Sequence, residues 1–252
     1  MFSVDSRVSS YHSQYEQDRL LDRHLFRGMT GGVFVDIGAH DGAWFNNTLT
    51  FEEDYGWTGL CIEANPSVFP KLRAGRSVPC LNIAIADYNG EMPFYQISGA
   101  PEMLSGLVAA SEDWHLQRVH REIDRDGGSL QIINVPTKRL DVVLAENDLT
   151  EVHYLSIDTE GNEAAIVSTI DHDRALIHVI DAECNKKEEL PALLAAAGPR
   201  FHYLGRDESD AFFINRQSPL AARRRALQGV LAARRARRRV RKLLPRKWRG
   251  WI

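Results

Sequence analysis

The chain has 252 residues, 44% of them hydrophobic and 26% charged, with a formal net charge of −3; that length suits one sizeable α/β domain and leaves little room for a second. No apolar run approaches the roughly 18 residues a membrane-spanning helix needs, and the opening residues lack the basic-then-apolar order of a secretory signal, so the expected compartment is the cytoplasm. Cys61, Cys80 and Cys184 form no C-x-x-C pair, so neither a disulfide framework nor a zinc site is expected.

The small net charge hides a division. Residues 1–215 carry 17 Lys and Arg against 34 Asp and Glu, whereas residues 216–252 carry 14 against none. An acidic body argues against a nucleic-acid-binding catalytic domain, because phosphate contacts need a positive surface near the site.

Strand-like runs alternate with helix-like segments from Val33 onward, the pattern of crossover units on a doubly wound, mainly parallel sheet. Residues 33–37 read as a first strand and 43–55 as a helix. Residues 60–62 read as a second strand, and Pro66 suits the first turn of a helix running to about Arg73. Residues 78–85 read as a third strand and 91–97 as a short antiparallel return. Residues 98–128, with a helix over 112–125, read as an insertion or lid before strand residues 131–135. Thr137 would cap a helix carrying Leu140, Val143 and Leu144. Strands over 153–157 and 176–182 alternate with helices over 162–170 and 188–197, and residues 201–204 and 211–215 form a terminal antiparallel hairpin. The domain is thus read as residues 1–217, followed by a basic tail over 218–252.

The segment VFVDIGAHDG, residues 33–42, runs a buried strand into a turn whose Gly38 and Gly42 would let a ligand approach the backbone closely. Asp36 at the strand end can hold an ammonium group, directly or through water. The amides of Gly38, Ala39, His40 and Gly42 can receive a carboxylate. Both suit the methionine end of S-adenosylmethionine, whereas a pyrophosphate would prefer G-x-G-x-x-G, which is absent here. Glu63, with Ala64 beside it, closes the second strand where such folds place an acid for the ribose hydroxyls. Asn82 and Ala84, near the end of the third, would lie beside the adenine.

Several blocks resemble the FkbM-type methyltransferases in order and spacing: FVDIGAHDG (34–42), Asn47-Thr48, WTGLCIEANP (57–66) and LSIDTEGNE (155–163), with the lead-in YHSQYEQD (11–18). The resemblance covers roughly residues 11–215. It implies a Rossmann-like methyltransferase fold with a seven-stranded sheet, and methyl transfer to oxygen, commonly a hydroxyl of a sugar or other natural product.

In the expected sheet order Asp36, Asp158, Asp181 and Glu183 converge at one edge, and period two puts Asp181 and Glu183 on one face. Carboxylates clustered above the cofactor, to which Asp158 would also contribute, have two uses. They can bind a divalent cation such as Mg²⁺, here through Asp158, Asp181 and Glu183, or deprotonate the hydroxyl, with Asp158 and Glu183 as participants. Glu160 and Glu163 are equally read as acids opening a helix. His115 and His120 in the lid are candidates to face the acceptor.

In the tail, Leu220, Leu227, Val230 and Leu231 share one helical face, but Val240, Leu243 and Leu244 fall nearly opposite and Pro245 interrupts, so a single continuous amphipathic helix is not expected. Three readings stay open: docking on an anionic membrane surface at the inner face with Trp248 and Trp251 at the interface, packing on the acidic body, or binding an anionic polymer. The leading functional reading is an S-adenosylmethionine-dependent O-methyltransferase acting on a hydroxyl of a carbohydrate, glycolipid or natural product. The competing ones are an NAD- or other nucleotide-dependent enzyme and a non-catalytic membrane-associated binding protein. A homo-oligomer is compatible with all of these.

Overall fold

The computed structural model describes residues 8–243. The chain enters through helix α1 (Gln17–Leu21), which widens into a π turn over Asp22–Phe26. Strand β1 (Val33–Ile37) has four of its five residues buried, because both faces of the sheet are covered where it lies and a near-continuous apolar run is the result. Then follow α2 (Leu49–Tyr55), β2 (Thr58–Ile62), α3 (Phe69–Gly75), and two very short strands, β3 (Cys80–Leu81) and β4 (Ala84–Ile85). An excursion comprises β5 (Gly90–Gly99), β6 (Gly106–Leu107), α4 (Asp113–Asp126) and β7 (Gly128–Lys138). The crossover pattern resumes with α5 (Leu140–Glu146), β8 (Glu151–Ile157), α6 (Glu163–Ser168), β9 (Leu176–Glu183) and α7 (Leu190–Ala197). The hairpin β10 (Phe201–Asp207) and β11 (Asp210–Asn215) precedes the long helix α8 (Arg224–Leu243).

The main sheet runs β10-β11-β9-β8-β1-β2-β3, parallel from β9 to β3, with β11 antiparallel to both β9 and β10. Alternation sorts its side chains into two cores. Val35, Ile37, Leu155 and Ile157 pack under α5, α6 and α7, while Phe34, Tyr154, Phe212 and Ile214 pack under α1, α2, α3 and α8. A second sheet, β4-β7-β5-β6, stands beside the first around Phe94, Leu107 and Val135, and α4 closes it through Val119 against Ile97 and Leu104.

Several local expectations are corrected. The helix expected over 43–55 begins only at Leu49, because residues 43–48 are bent around a buried polar network described below. The helix expected from Pro66 begins at Phe69, with Pro70 in its first turn. The third strand divides: Cys80–Leu81 pairs with β2, but Ala84–Ile85 leaves to pair with β7. Thr137 is a buried strand residue rather than a cap, and the first amide of α5, that of Leu140, donates to Thr169 Oγ1 at 3.1 Å. The tail forms one helix over Arg224–Leu243, contrary to the phase argument; Leu244, Pro245, Trp248 and Trp251 lie outside the described residues. Residues 98–128 span the end of β5, β6 and α4, all packed onto the second sheet.

The second core is rich in aromatic contacts. Phe51 meets Phe26, Trp57 and Tyr154 with ring centroids 5.2, 4.8 and 5.7 Å apart. Phe51→Ala should therefore cost about 3–5 kcal/mol, read as a lower urea midpoint with an unchanged denaturant slope.

Candidate active site

The strand order reverses direction between β1 and β8, the place where open α/β sheets hold ligands beyond their carboxyl ends. The two strands run in register from Phe34–Tyr154 to Ile37–Ile157, and the Asp158 amide donates to the Ile37 carbonyl at 2.9 Å. The chain then leaves β1 through Gly38 at φ +84°, where a Cβ would collide with the Asp158 carbonyl oxygen. Gly42 is also enforced by packing: at φ +80° its Cβ would stand 2.7 Å from Leu72 and 2.8 Å from Arg76. Above this seam lies a cleft of about 290 Å³ whose walls include Gly38, His40, Glu63, Ala84, Asp158 and Glu183.

Asp36 is turned away from that cleft. Its Oδ2 accepts hydrogen bonds from Asn46 Nδ2 and Thr48 Oγ1, both at 2.8 Å, and lies 3.8 Å from Arg76 Nη1. Arg76 in turn donates to Asn46 Oδ1, Thr48 Oγ1 and Glu52 Oε2. Burial raises the Asp36 pKa despite the arginine. This network holds residues 43–48 out of helix, so Asp36 shapes the floor of the turn. Ala39, Gly42, Asn82 and Asp181 likewise stand outside the cleft wall.

Glu63 is presented to the cleft from the end of β2. Its Oε2 accepts from the His40 amide at 2.9 Å and its Oε1 from the Asn65 amide at 2.7 Å. Asn82 donates Nδ2 to the carbonyls of Glu63 and Ala64, pinning that strand end. Burial pushes the Glu63 pKa up to about 7, only partly offset by the two amides. His40 lines the cleft in the left-handed region, φ +51°, with both ring nitrogens buried and without a hydrogen-bond partner.

Opposite stands a carboxylate cluster. Asp158, Glu160 and Glu183 each offer an oxygen, all within 4.8 Å of one another. The third member is Glu160, and Asp181 is not in the group: its Oδ2 accepts from Tyr154 OH at 3.0 Å, one pleat further from the strand end. Asp158 opens onto the cleft yet is hemmed in by its walls; that enclosure, followed by the charge of Glu160, pushes its pKa well up. Glu183 is raised by burial and then by Asp158. Glu163 behaves as a helix-opening acid, accepting from Thr159 N, Thr159 Oγ1 and Gly161 N. Glu160 instead takes φ +58°, and its Oε2 lies 3.4 Å from His115 Nδ1. His115 is buried, with Nε2 2.9 Å from the Leu104 carbonyl oxygen. Burial lowers its pKa, but Glu160 outweighs that and the net shift is upward. His120 is exposed and outside the cleft. Sequence reasoning also missed Tyr15, Glu102 and Arg118 in the cleft wall; only the lead-in YHSQYEQD pointed toward the first of them.

A doubly wound parallel sheet with an antiparallel hairpin strand beside β9, and an acid-lined cleft at the switch point with Glu63 closing the second strand, defines a Rossmann-like S-adenosylmethionine-dependent methyltransferase. The chain belongs to the FkbM family: the model described as "Methyltransferase FkbM domain" matches residues 36–201. The nucleotide-dependent oxidoreductase reading is thereby set aside. No curated protein is significantly similar in sequence. Among solved structures, the METTL16 MTase domain is similar at 12% identity and TM-score 0.42, over 79% of this chain and 63% of that one. Precorrin-6y C5,15-methyltransferase from Geobacter metallireducens GS-15 is similar at 11% identity and TM-score 0.40, over 84% and 91%.

The raised acids have a consequence for stability. Glu63 and Asp210 both titrate near pH 7 in the folded protein, so they bind protons more tightly folded than unfolded. Their contribution is complete below the ordinary carboxylate range and declines as pH rises toward 7. For Glu63 the decline is at most about 3 kcal/mol. Glu63→Gln should shrink the difference in thermal midpoint between about pH 5 and about pH 8.

Proposed function

We propose that the chain transfers a methyl group to a hydroxyl oxygen of a carbohydrate, glycolipid or similar polyhydroxylated acceptor. The observation that carries this reading is the Asp158, Glu160 and Glu183 cluster at the carboxyl ends of β8 and β9, facing Glu63 and His40 across the cleft. Several acceptor oxygens in one wall can take hydrogen bonds from several hydroxyls at once.

The cleft fits S-adenosylmethionine. Its carboxylates would complement the sulfonium and ammonium charges, Glu63 would accept from the ribose hydroxyls, and Ile62, Ala84, Ile85 and Phe94 would give adenine an apolar wall. The backbone at Gly38 and His40, with the His40 ring whose Nε2 stands 3.5 Å from Glu102 Oε1, would meet the amino-acid end. When bound, the cofactor supplies an electrophilic methyl whose bonding pair stays with sulfur as the new O–CH₃ bond forms.

The chain's own task is to align the hydroxyl and accept its proton. A carboxylate of ordinary pKa is a weak base, but burial, and after it the neighbouring acids, raises both Asp158 and Glu183 well above the usual carboxylate range. The base must be ionised, so activity rises with pH through that elevated pKa. Asp158→Asn and Glu183→Gln should each lower kcat by roughly 10²–10⁴-fold while S-adenosylmethionine binding, measured by calorimetry, survives. Replacing a crowded carboxylate also relieves repulsion, so these variants should stay folded. Mass spectrometry of candidate acceptors should show a gain of about 14 mass units, the net CH₂ of hydroxyl methylation. A folded sample that binds neither S-adenosylmethionine nor S-adenosylhomocysteine, or undiminished turnover by Asp158→Asn, would defeat the reading.

A second reading is favoured by Glu160 Oε2 and Glu183 Oε2, both buried without a hydrogen-bond partner. The three carboxylates would then hold Mg²⁺, and the ion would supply Lewis-acid activation of the hydroxyl. Chelation should then abolish turnover and added Mg²⁺ restore it; turnover indifferent to chelator rules the metal out.

A further inference from the structure

Six of the arginines of α8 fall into two sets. On the inward face Leu227 and Leu231 are buried in the second core. Further along that face Arg234 pairs with Asp207 and Glu16, each at 2.8 Å, and Arg238 with Asp207 at 2.6 Å and Glu208 at 2.8 Å. Arg225, Arg237, Arg239 and Arg241 are exposed, and none has an acidic partner among the described residues.

At about 100° per residue, Arg239 and Arg237 border the outward surface, Arg225 lies within it, and Arg241 falls back toward the Arg234 side. The rest of that surface is Ala226, Gly229, Ala232, Ala233, Ala236 and Val240, with Val240 46% exposed. This resolves the phase conflict in the tail. The helix is continuous, its first apolar residues are covered by the body, and Val240 opposite is left uncovered. An arginine-flanked aliphatic sector is the profile of a helix lying in a membrane interface. The following residues 244–252 continue the same chemistry with Arg246, Lys247, Arg249, Trp248 and Trp251.

We propose that the outward face of α8 docks the enzyme on an anionic lipid surface, the arginines meeting headgroups and the aliphatic sector settling between them. A nucleic acid fits less well: the sector presents alanine and valine where single strands ask for aromatic platforms, and the body behind it is acidic. The docked helix is tied to the cleft mouth. Arg234 bonds Glu16 and Asp207, whose neighbours Tyr15 and Ser209 belong to the cleft wall. A lipid-bound α8 would thus keep the catalytic cleft beside the surface.

The test is co-sedimentation of the full chain with vesicles of phosphatidylcholine, with and without about 30% phosphatidylglycerol, near 0.1 M salt. Binding should favour the anionic vesicles by at least about tenfold and weaken by about fivefold for each outward arginine removed. The quadruple variant Arg225→Ala, Arg237→Ala, Arg239→Ala, Arg241→Ala should lose that preference with its circular dichroism and S-adenosylmethionine affinity unchanged. Equal binding to both vesicles, undiminished binding by the quadruple variant, or tighter binding to an oligonucleotide than to the anionic vesicles at the same salt would each overturn the assignment.

Discussion

The site depends on one close backbone approach, that of Gly38 to the carbonyl of Asp158. Two parallel strands end together, and the turn leaving the first must pass directly over the turn leaving the second. Only a residue without Cβ, at positive φ, permits it. The approach brings the turn that carries His40 and the block that carries Asp158 and Glu160 to opposite walls of one narrow space. Both His40 and Glu160 are non-glycine residues in the left-handed region, a conformation that costs free energy and is held by its surroundings. In this chain the surroundings are the Glu63 carboxylate under the His40 amide and the Glu163 carboxylate under the Gly161 amide. Acids thus fold the walls as well as facing the cleft.

Glu63, Asp158 and Glu183 share a wall with few cationic groups, Arg118 among them, and burial raises the pKa of all three. With the Glu63 carboxyl pushed up to about 7, a cation bound beside it would favour its ionised form. Helix α4 contributes His115, which sits behind Glu160 while its other nitrogen is anchored at the Leu104 carbonyl.

The parts legible in the sequence are those governed by local pattern. β1 is bounded as expected because a strand covered on both faces is apolar but for Asp36, and the hairpin is marked by its polar turn. The early start assigned to α2 failed because residues 43–48 answer to Asp36 and Arg76, the latter some thirty positions further on. The third strand was overextended because β4 takes its partner from β7, about fifty residues away. Asp36 carries the motif but not a contact with the cleft, and Glu160 replaced Asp181 in the cluster. Strand alternation predicts which face a residue shares, whereas Glu160 reaches the group through a turn conformation that no periodicity encodes. Helix α8 escaped the phase argument because its two apolar faces answer to different surroundings.

Both margins of the main sheet are blunted. At one end β3 contributes only two residues. At the other, β10 carries a register shift between Tyr203 and Gly205, and α8 packs so closely there that a Cβ on Gly205 would stand 3.2 Å from Leu231. A short edge and a bulged, helix-guarded edge both discourage another strand from adding on. Self-association by extending the sheet is therefore disfavoured, and copies of this chain that meet would have to do so through helices or through the second sheet.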